Sequence, residues 1–336
     1  MKTGIVHPTG AQVLKEFNVP EVMRAAAIDR AGEPEVLSLH TMPTPVPDKD
    51  EVLIALDTAG VGSWDADMRA GWWPSGRMRF PMVLGTDGAG VIAAVGSHMR
   101  RLTVGDQVYS YSFANPKGGF YAEYVAVAKE KVSPIPKNLD LRHAGAIPTT
   151  GLTALQGVDD ALQIKRGESL IVHGASGGVG SLAIQFAKLR GARVLATTLG
   201  EDGLAFVRRL GADVAVDGKR EDIAEQARSF EPDGVNAVLA LVGGGALERC
   251  IDAVRSGGRL AYPNGIEPEP KKRRGLHVTS YDAVAGVREF EALNLAVEQG
   301  KPEVPIAAVY AMAEARKAHE RLAAGHVLGK IVLRIR

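Results

Sequence analysis

A chain of 336 residues is longer than one ordinary core and points to about two domains. With 46% hydrophobic residues, 24% charged residues and a formal net charge of +1, the composition is that of a globular protein and disfavours polyanion binding over the whole surface. Only 5% of residues are aromatic, against a stacking platform for nucleic acid, and no apolar run nears the roughly 20 residues that span a bilayer. The single cysteine, Cys250, excludes an intrachain disulfide framework and a four-thiolate zinc site. A reduced, cytoplasmic setting is expected, with neither nucleic acid nor membrane as partner.

Residues 1–22 lack the continuous apolar core of a secretory signal and read as an N-terminal extension or surface strap. From Met23 to Pro148, short β segments alternate with Pro and Gly: 51–61, 88–97, 106–112 and 119–128, with the loop MPTPVPDKDE at 42–51. Strands this short and turns this dense predict a partly closed β barrel. After Thr150 the texture changes to apolar strands (169–174, 193–197, 213–217, 236–241, 258–263) alternating with helices at 178–190, through Leu210, at 221–230, 246–254 and 284–299. That alternation predicts a doubly wound parallel sheet, an α/β domain. The tail 325–335 reads as strand again and is expected to return to the first domain. The expected division is 1–22 extension, 23–148 with 298–336 one domain, and 149–297 the other.

The strongest chemistry lies at 170–197. A buried strand runs into Gly174, then Ala175-Ser176-Gly177-Gly178-Val179-Gly180, then a helix and a second strand. This is the dinucleotide fingerprint with Ala175 in place of its first glycine. Gly177 lets backbone approach a pyrophosphate, Gly180 lets helix pack on strand, and the helix N-terminus supplies free N–H groups. NAD enzymes carry an acid about 20 residues on, to grip the ribose 2′-hydroxyl. Here the second strand ends Thr197-Thr198-Leu199-Gly200, with no acid before Glu201. NADPH is therefore expected over NADH, with Thr198 as a donor and Lys219 and Arg220 as cations for the 2′-phosphate; those two are equally readable as solvated loop charges.

Together, GTDGAGVIAAVGS (85–97), GDQVYS (105–110), GGFYAEYVAV (119–127), AIPTTGLTALQ (146–156), HGASGGVGSLAIQFAK (173–188), LGADVAVD (210–217), the run 241–265 and GHVLGKIVLRI (325–335) resemble the medium-chain dehydrogenase/reductase superfamily, in particular its zinc-independent, NADPH:quinone reductase-like branch. The resemblance implies a Rossmann domain, a GroES-like catalytic domain, homodimers through edge strands (here 276–282), and hydride transfer to a quinone or α,β-unsaturated carbonyl. It also implies that Thr150 packs beside the nicotinamide with Pro148 shaping its approach. Val242, Gly243 and Asn264 are then placed near the nicotinamide ribose and carboxamide, and Lys330 at the pyrophosphate. Where zinc-dependent members carry Cys and a His-Glu pair, this chain has Gly62 and Thr86-Asp87, so no zinc is expected. Many zinc-free members have Asn and Tyr where Gly62 and Asp67 stand, so the usual carbonyl anchor is missing.

No catalytic acid or base is assigned from sequence; Ser63 and Asp65 are the candidates, with Asp65 read mainly as an ion-pair partner of Arg69. Trp64, Trp72 and Trp73 are candidate walls of the substrate pocket around Gly62, or else packing. His143, His173, His277, His319 and Cys250 read as structural. The run Lys271–Arg274 is a solvated loop, or a contact for a CoA thioester. Two further readings stay open: an enoyl-thioester reductase, and a non-catalytic NADPH-binding protein of the same fold.

Overall fold

Hydrophobic period decides which half of the chain becomes which architecture. Residues 17–73 and 78–336 are described by the computed structural model; residues 1–16, most of the expected extension, lie outside them. In the first half, alternating and short apolar runs give strands β1 (Val22–Ile28), β2 (Leu37–Pro43) and β3 (Glu51–Val61). Helix α1 (Ser63–Ala70) follows, then β4 (Met82–Val83), β5 (Asp87–Val95), β6 (Gln107–Tyr111), β7 (Tyr124–Ala128) and β8 (Val132–Pro134). Strand β3 is the spine: it pairs with both β5 and β7, and register shifts at Leu53/Ile54 and Leu56/Thr58 bend it.

Helices α2 (Leu141–Gly145) and α3 (Pro148–Gln156) lead out of this lobe, the second begun by a proline at its first turn, where a missing N–H costs nothing. Then come β9 (Ser169–His173), α4 (Gly178–Leu189), β10 (Arg193–Thr198), α5 (Gly200–Arg209), β11 (Val214–Asp217) and α6 (Ile223–Phe230). The series continues with β12 (Val235–Ala240), α7 (Gly245–Asp252), β13 (Val254–Pro263), β14 (His277–Tyr281) and α8 (Val287–Gly300). All six strands are parallel, in the order β11-β10-β9-β12-β13-β14, so the sheet reverses direction between β9 and β12. A crevice at the carboxyl ends of the strands at such a reversal is where open α/β sheets bind ligands.

The chain then returns. Strand β15 (Ile306–Ala311), helix α9 (Ala315–Ala323) and strand β16 (Lys330–Arg334) rejoin the first lobe, β16 pairing antiparallel with β3. The strands of that lobe form a seven-stranded sheet and a three-stranded sheet (β2-β1-β4), tied by a bridge from Ala25 to Ala122. The GroES-like lobe is thus two connected sheets and not one closed ring of strands. Strand β15 and helix α9 were not visible in the sequence: ARKAHERLA is too polar to announce a buried face, yet Ala315, Ala318 and His319 are buried.

One contact stitches the lobes at the crevice. Gly329, just before β16, donates its N–H to the Ser176 carbonyl at 2.8 Å and bridges Gly177. Gly329 has φ +106, and a β-carbon there would run into the Pro305 carbonyl. Gly329→Ala is expected to destabilise the protein by about 2 kcal/mol through backbone strain and overpacking; urea unfolding checks this, and an unchanged midpoint would refute the constraint.

Candidate functional site at the lobe junction

The turn between β9 and α4 is shaped by where side chains do and do not fit. Gly174 sits at φ +82, and Ala175, fully buried, donates its N–H to Thr197 at 3.0 Å, so the alanine in the fingerprint's first position points into the core. A β-carbon on Gly180 would stand 2.6 Å from the Ala175 α-carbon, so helix and strand touch there. Gly177 is different: the nearest atom to a β-carbon would be 3.8 Å away, so its outer side is open. Gly177 caps α4 without any side-chain bond. The amides of Gly178, Val179 and Gly180 therefore remain available, as first-turn amides of a helix are unless capped. An open, uncapped helix start with close backbone fits a diphosphate.

Three segments reach this turn directly, those of Thr150, Lys330 and Val242. The Thr150 hydroxyl is tied back to the Ala146 and Ile147 carbonyls, leaving its methyl 3.0 Å from where a β-carbon on Gly178 would be. Lys330 is 7% exposed. Its stem passes Gly178 (Cδ 3.4 Å from the same kind of point) and Gly60 (Cε 2.9 Å), and its ammonium ends beside Gly62 (Nζ 3.4 Å). The Val242 side chain lies 3.2 Å from a β-carbon position on Gly174. Gly243 packs against the Glu267–Pro268 backbone, and Asn264, exposed, gives its amide to Asp282 at 2.8 Å. Thr150, Gly178, Lys330 and Gly62 are thus brought together, with Val242 along the adjoining edge.

Beneath Gly62 lies a buried polar cluster that sequence spacing did not reveal. Gly62 N–H caps back onto Asp65 Oδ2 at 2.8 Å, which starts α1; Gly71 at φ +115 ends it. Asp65 does not pair with Arg69, contrary to expectation. The Asp65 Oδ2 instead accepts from the Tyr121 hydroxyl at 3.1 Å, and Arg69 donates to His319 Nδ1 at 3.0 Å and to the Gly32 carbonyl. His319 Nε2 and the Tyr121 hydroxyl are 3.2 Å apart. Burial pushes the Asp65 carboxyl up to about 7, the Lys330 charge opposing it, and burial then the Arg69 charge push His319 down to about 3. Asp87, in the zinc-family glutamate position, is buried, accepts the Thr149 N–H at 2.9 Å through Oδ2, and leaves Oδ1 without a partner; Asp65 Oδ1 is likewise unpartnered.

The other expected residues separate. Trp64 and Trp72 meet at 5.3 Å, and Phe113, which the sequence reading passed over, joins them at 5.5 and 6.0 Å; Trp64 also reaches across to Gly265 (3.0 Å from its β-carbon position). Trp73 packs into the first lobe's core instead of this wall. Ser63 is exposed at the first turn of α1. The Thr198 hydroxyl does not face solvent: it is buried, unpartnered and directed at Gly203, 2.5 Å from that residue's β-carbon position, so it is not available to a 2′-phosphate. Asp217 was missed, and its two oxygens clasp the Gly200 and Lys219 amides at 3.0 Å each, holding the loop that carries exposed Lys219 and Arg220.

His173 is buried, bonded to Thr197 at 2.7 Å and pushed down to about 4, chiefly by burial; Cys250 is buried beside it and pushed up to about 12 by burial, an inert thiol. In the basic run, Arg273 is held by Glu248 (2.7 Å) and Asp252 (3.1 Å), while Lys271, Lys272 and Arg274 are exposed. A groove of about 930 Å³ opens elsewhere, lined by His143, Asp202, Arg209, Glu303 and His326 among others; its charges pair with one another (Arg209–Glu303 2.8 Å, His326–Asp202 2.9 Å), and the fingerprint turn does not line it.

Comparison with known proteins agrees with this geometry. Residues 48–137 match the alcohol dehydrogenase GroES-like domain, and residues 210–333 match a family described as zinc-binding dehydrogenase. The chain is 32% identical to the quinone oxidoreductase of Lama guanicoe, over 93% of this chain and 97% of that protein. It is 32% identical to the chloroplastic NADPH-dependent alkenal/one oxidoreductase of Arabidopsis thaliana, over 96% of this chain and 82% of that one. A crystal structure of an NAD-dependent alcohol dehydrogenase superposes with a TM-score of 0.87 at 32% identity, covering 94% of this chain and all of the other. No helix among the described residues is long and apolar enough to cross a membrane.

The contact at Gly180 gives a direct check of the turn. Gly180→Ala is expected to cost about 1–3 kcal/mol because neither backbone can yield, measured as a lowered thermal midpoint; a wild-type midpoint would mean helix and strand are not in contact there.

Proposed function

The chain belongs to the medium-chain dehydrogenase/reductase superfamily, and from that premise we propose that it is a zinc-independent, NADPH-dependent reductase of quinones or α,β-unsaturated carbonyl compounds. The observation that carries this reading is the open phosphate turn with Lys330 laid alongside it, next to a Gly62 that replaces the metal-ligating cysteine. A dinucleotide bound here would supply the hydride. The first-turn amides of α4, from Gly178 to Gly180, would hold the diphosphate, and Lys330 would add a cation. Ala175 and Ser176 shape the turn, and Thr150 presents a methyl to the ring's side. Val242, Gly243 and Asn264 border the nicotinamide end, and Pro148 fixes the start of α3. Lys219 and Arg220, on the loop held by Asp217, would pair with the adenosine 2′-phosphate, with no part left to Thr198.

Chemically, Gly62 and Thr86 offer no thiolate or imidazole, so nothing at these positions would hold a Lewis-acid zinc to deprotonate an alcohol. An acceptor already activated by conjugation needs mainly positioning and exclusion of water. The tilted wall of Trp64, Trp72 and Phe113 suits a flat, conjugated ligand of this kind. In this reading residues 23–148 and 298–336 form the substrate lobe and 149–297 the cofactor lobe. The outer strand β14, exposed at Val278, is the surface we assign to a homodimer. The names of the quinone and alkenal/one oxidoreductase relatives support the substrate class; the NAD-dependent structural relative makes the cofactor preference the point to test.

Gly177→Asp leaves the fold intact, since its β-carbon has open space, but places a carboxylate where the diphosphate sits. Loss of NADPH binding with an unchanged thermal midpoint is expected; retained affinity would move the cofactor elsewhere. Lys219→Glu with Arg220→Glu should weaken NADPH at least tenfold and leave NADH within twofold, read by fluorescence titration; an equal effect on both would remove these cations from the 2′-phosphate. Activity against a panel of quinones and enones should survive dialysis against EDTA, and chelator-sensitive turnover would overturn the metal-free reading.

A further inference from the structure

The hydrogen bonds around Asp65 run in one direction only. Arg69 has no acceptor, so it must donate to His319 Nδ1; neutral His319 then carries its proton on Nε2 and donates to the Tyr121 hydroxyl. With that lone pair engaged, Tyr121 gives its own proton to Asp65 Oδ2, which also accepts the Gly62 N–H. Both bonds end on one oxygen. Any proton held by Asp65 must therefore sit on Oδ1, a fully buried atom with no partner.

The charged and titratable groups around this carboxyl come from several elements. They are Asp87 on β5, Lys330 on β16, Tyr121 before β7, and Arg69 acting through His319 from α1 and α9, with Tyr111 on β6 further off. Lys330 is the counter-charge that matters. Its Nζ and Asp65 Oδ2 lie 3.4 and 3.8 Å from the same point, the β-carbon position of Gly62, yet they form no ion pair within 4.0 Å, so the lysine is near but not committed. One lysine stem spans the gap from the phosphate turn at Gly178 to Asp65 at Gly62.

We propose that binding of a nicotinamide dinucleotide draws a proton onto Asp65 Oδ1. This rests on the cofactor placement above. Diphosphate charge at the start of α4 disfavours a second buried anion, and it attracts the Lys330 ammonium away from Asp65; both effects have the same sign. Burial already pushes the Asp65 carboxyl up to about 7, so a modest further rise converts to uptake near physiological pH. A hydride reduction of a quinone or enone consumes one proton per turnover, which solvent supplies; the proton on Asp65 is bound with the cofactor and stays on the protein. Asp65 is in this role a proton-holding residue and does not touch the substrate.

The test is calorimetric titration of NADPH into the full chain at pH 7.5, in MOPS and in Tris, whose ionisation heats differ. Wild type is expected to take up about half a proton per site, for a rise of about one pH unit around neutrality. Asp65→Asn should bind NADPH and take up close to none. Tyr121→Phe removes a bond that stabilises the anion, so its uptake at pH 7.5 should shrink and reappear at higher pH. Buffer-independent heat in wild type, or undiminished uptake in Asp65→Asn, overturns the inference while leaving the cofactor reading in place; no binding heat in either buffer overturns both.

Discussion

The short bond from Gly329 to the Ser176 carbonyl is the constraint on which the site depends. A Rossmann turn by itself provides backbone donors and a helix dipole, but no side chain that reaches over the phosphates. By fastening the start of β16 to that turn, the contact delivers Lys330 to the one place where its stem can lie across Gly178 and Gly60. The same strand pairs with β3, which carries Gly60 and ends at Val61, next to Gly62. Phosphate turn, lysine and substrate-lobe loop are therefore fixed to each other by main chain, and their relative placement does not depend on flexible side-chain contacts.

Position 62 leaves its space to a lysine. A thiolate at position 62 would stand against the Lys330 ammonium, whereas glycine leaves that volume to it. The buried carboxylates of Asp65 and Asp87 lie near this cation. Such a cluster is costly to keep ionised, which is why burial raises the affinity of Asp65 for a proton so far above the ordinary carboxylate range. The neutral histidine and the tyrosine behind it satisfy one oxygen and leave the other free to change state.

The glycine turn after β9 was legible in the sequence because it is a matter of backbone geometry, and the close contact at Gly180 leaves no room for a β-carbon. The parallel sheet was legible because its inner strands, β9, β10 and β12, are buried on both faces and read as apolar runs. The cluster around Asp65 was not legible. Its partners, Tyr121 and His319, lie 56 and 254 positions away, and nothing local marks them; the one local clue, a basic residue four places on, pointed to the wrong partner. Thr198 misled in another way. Its place at the strand end was right, but a side chain rotates toward whatever space exists, and the space was at Gly203. Phe113 escaped notice because aromatic contact between segments so far apart has no spacing rule.

The first lobe is interrupted by the second: its seven-stranded sheet is completed by β15 and β16, which follow all six strands of the parallel sheet in the chain. The inserted lobe has no such debt, since every strand it needs is consecutive. Order of assembly follows from this. Closing so long a loop is entropically slow, and contacts across it come late. The parallel sheet is thus the element free to form first, and it becomes the template on which the returning strand is laid down, so that the cleft between the lobes and the completed outer lobe come into existence in the same folding step.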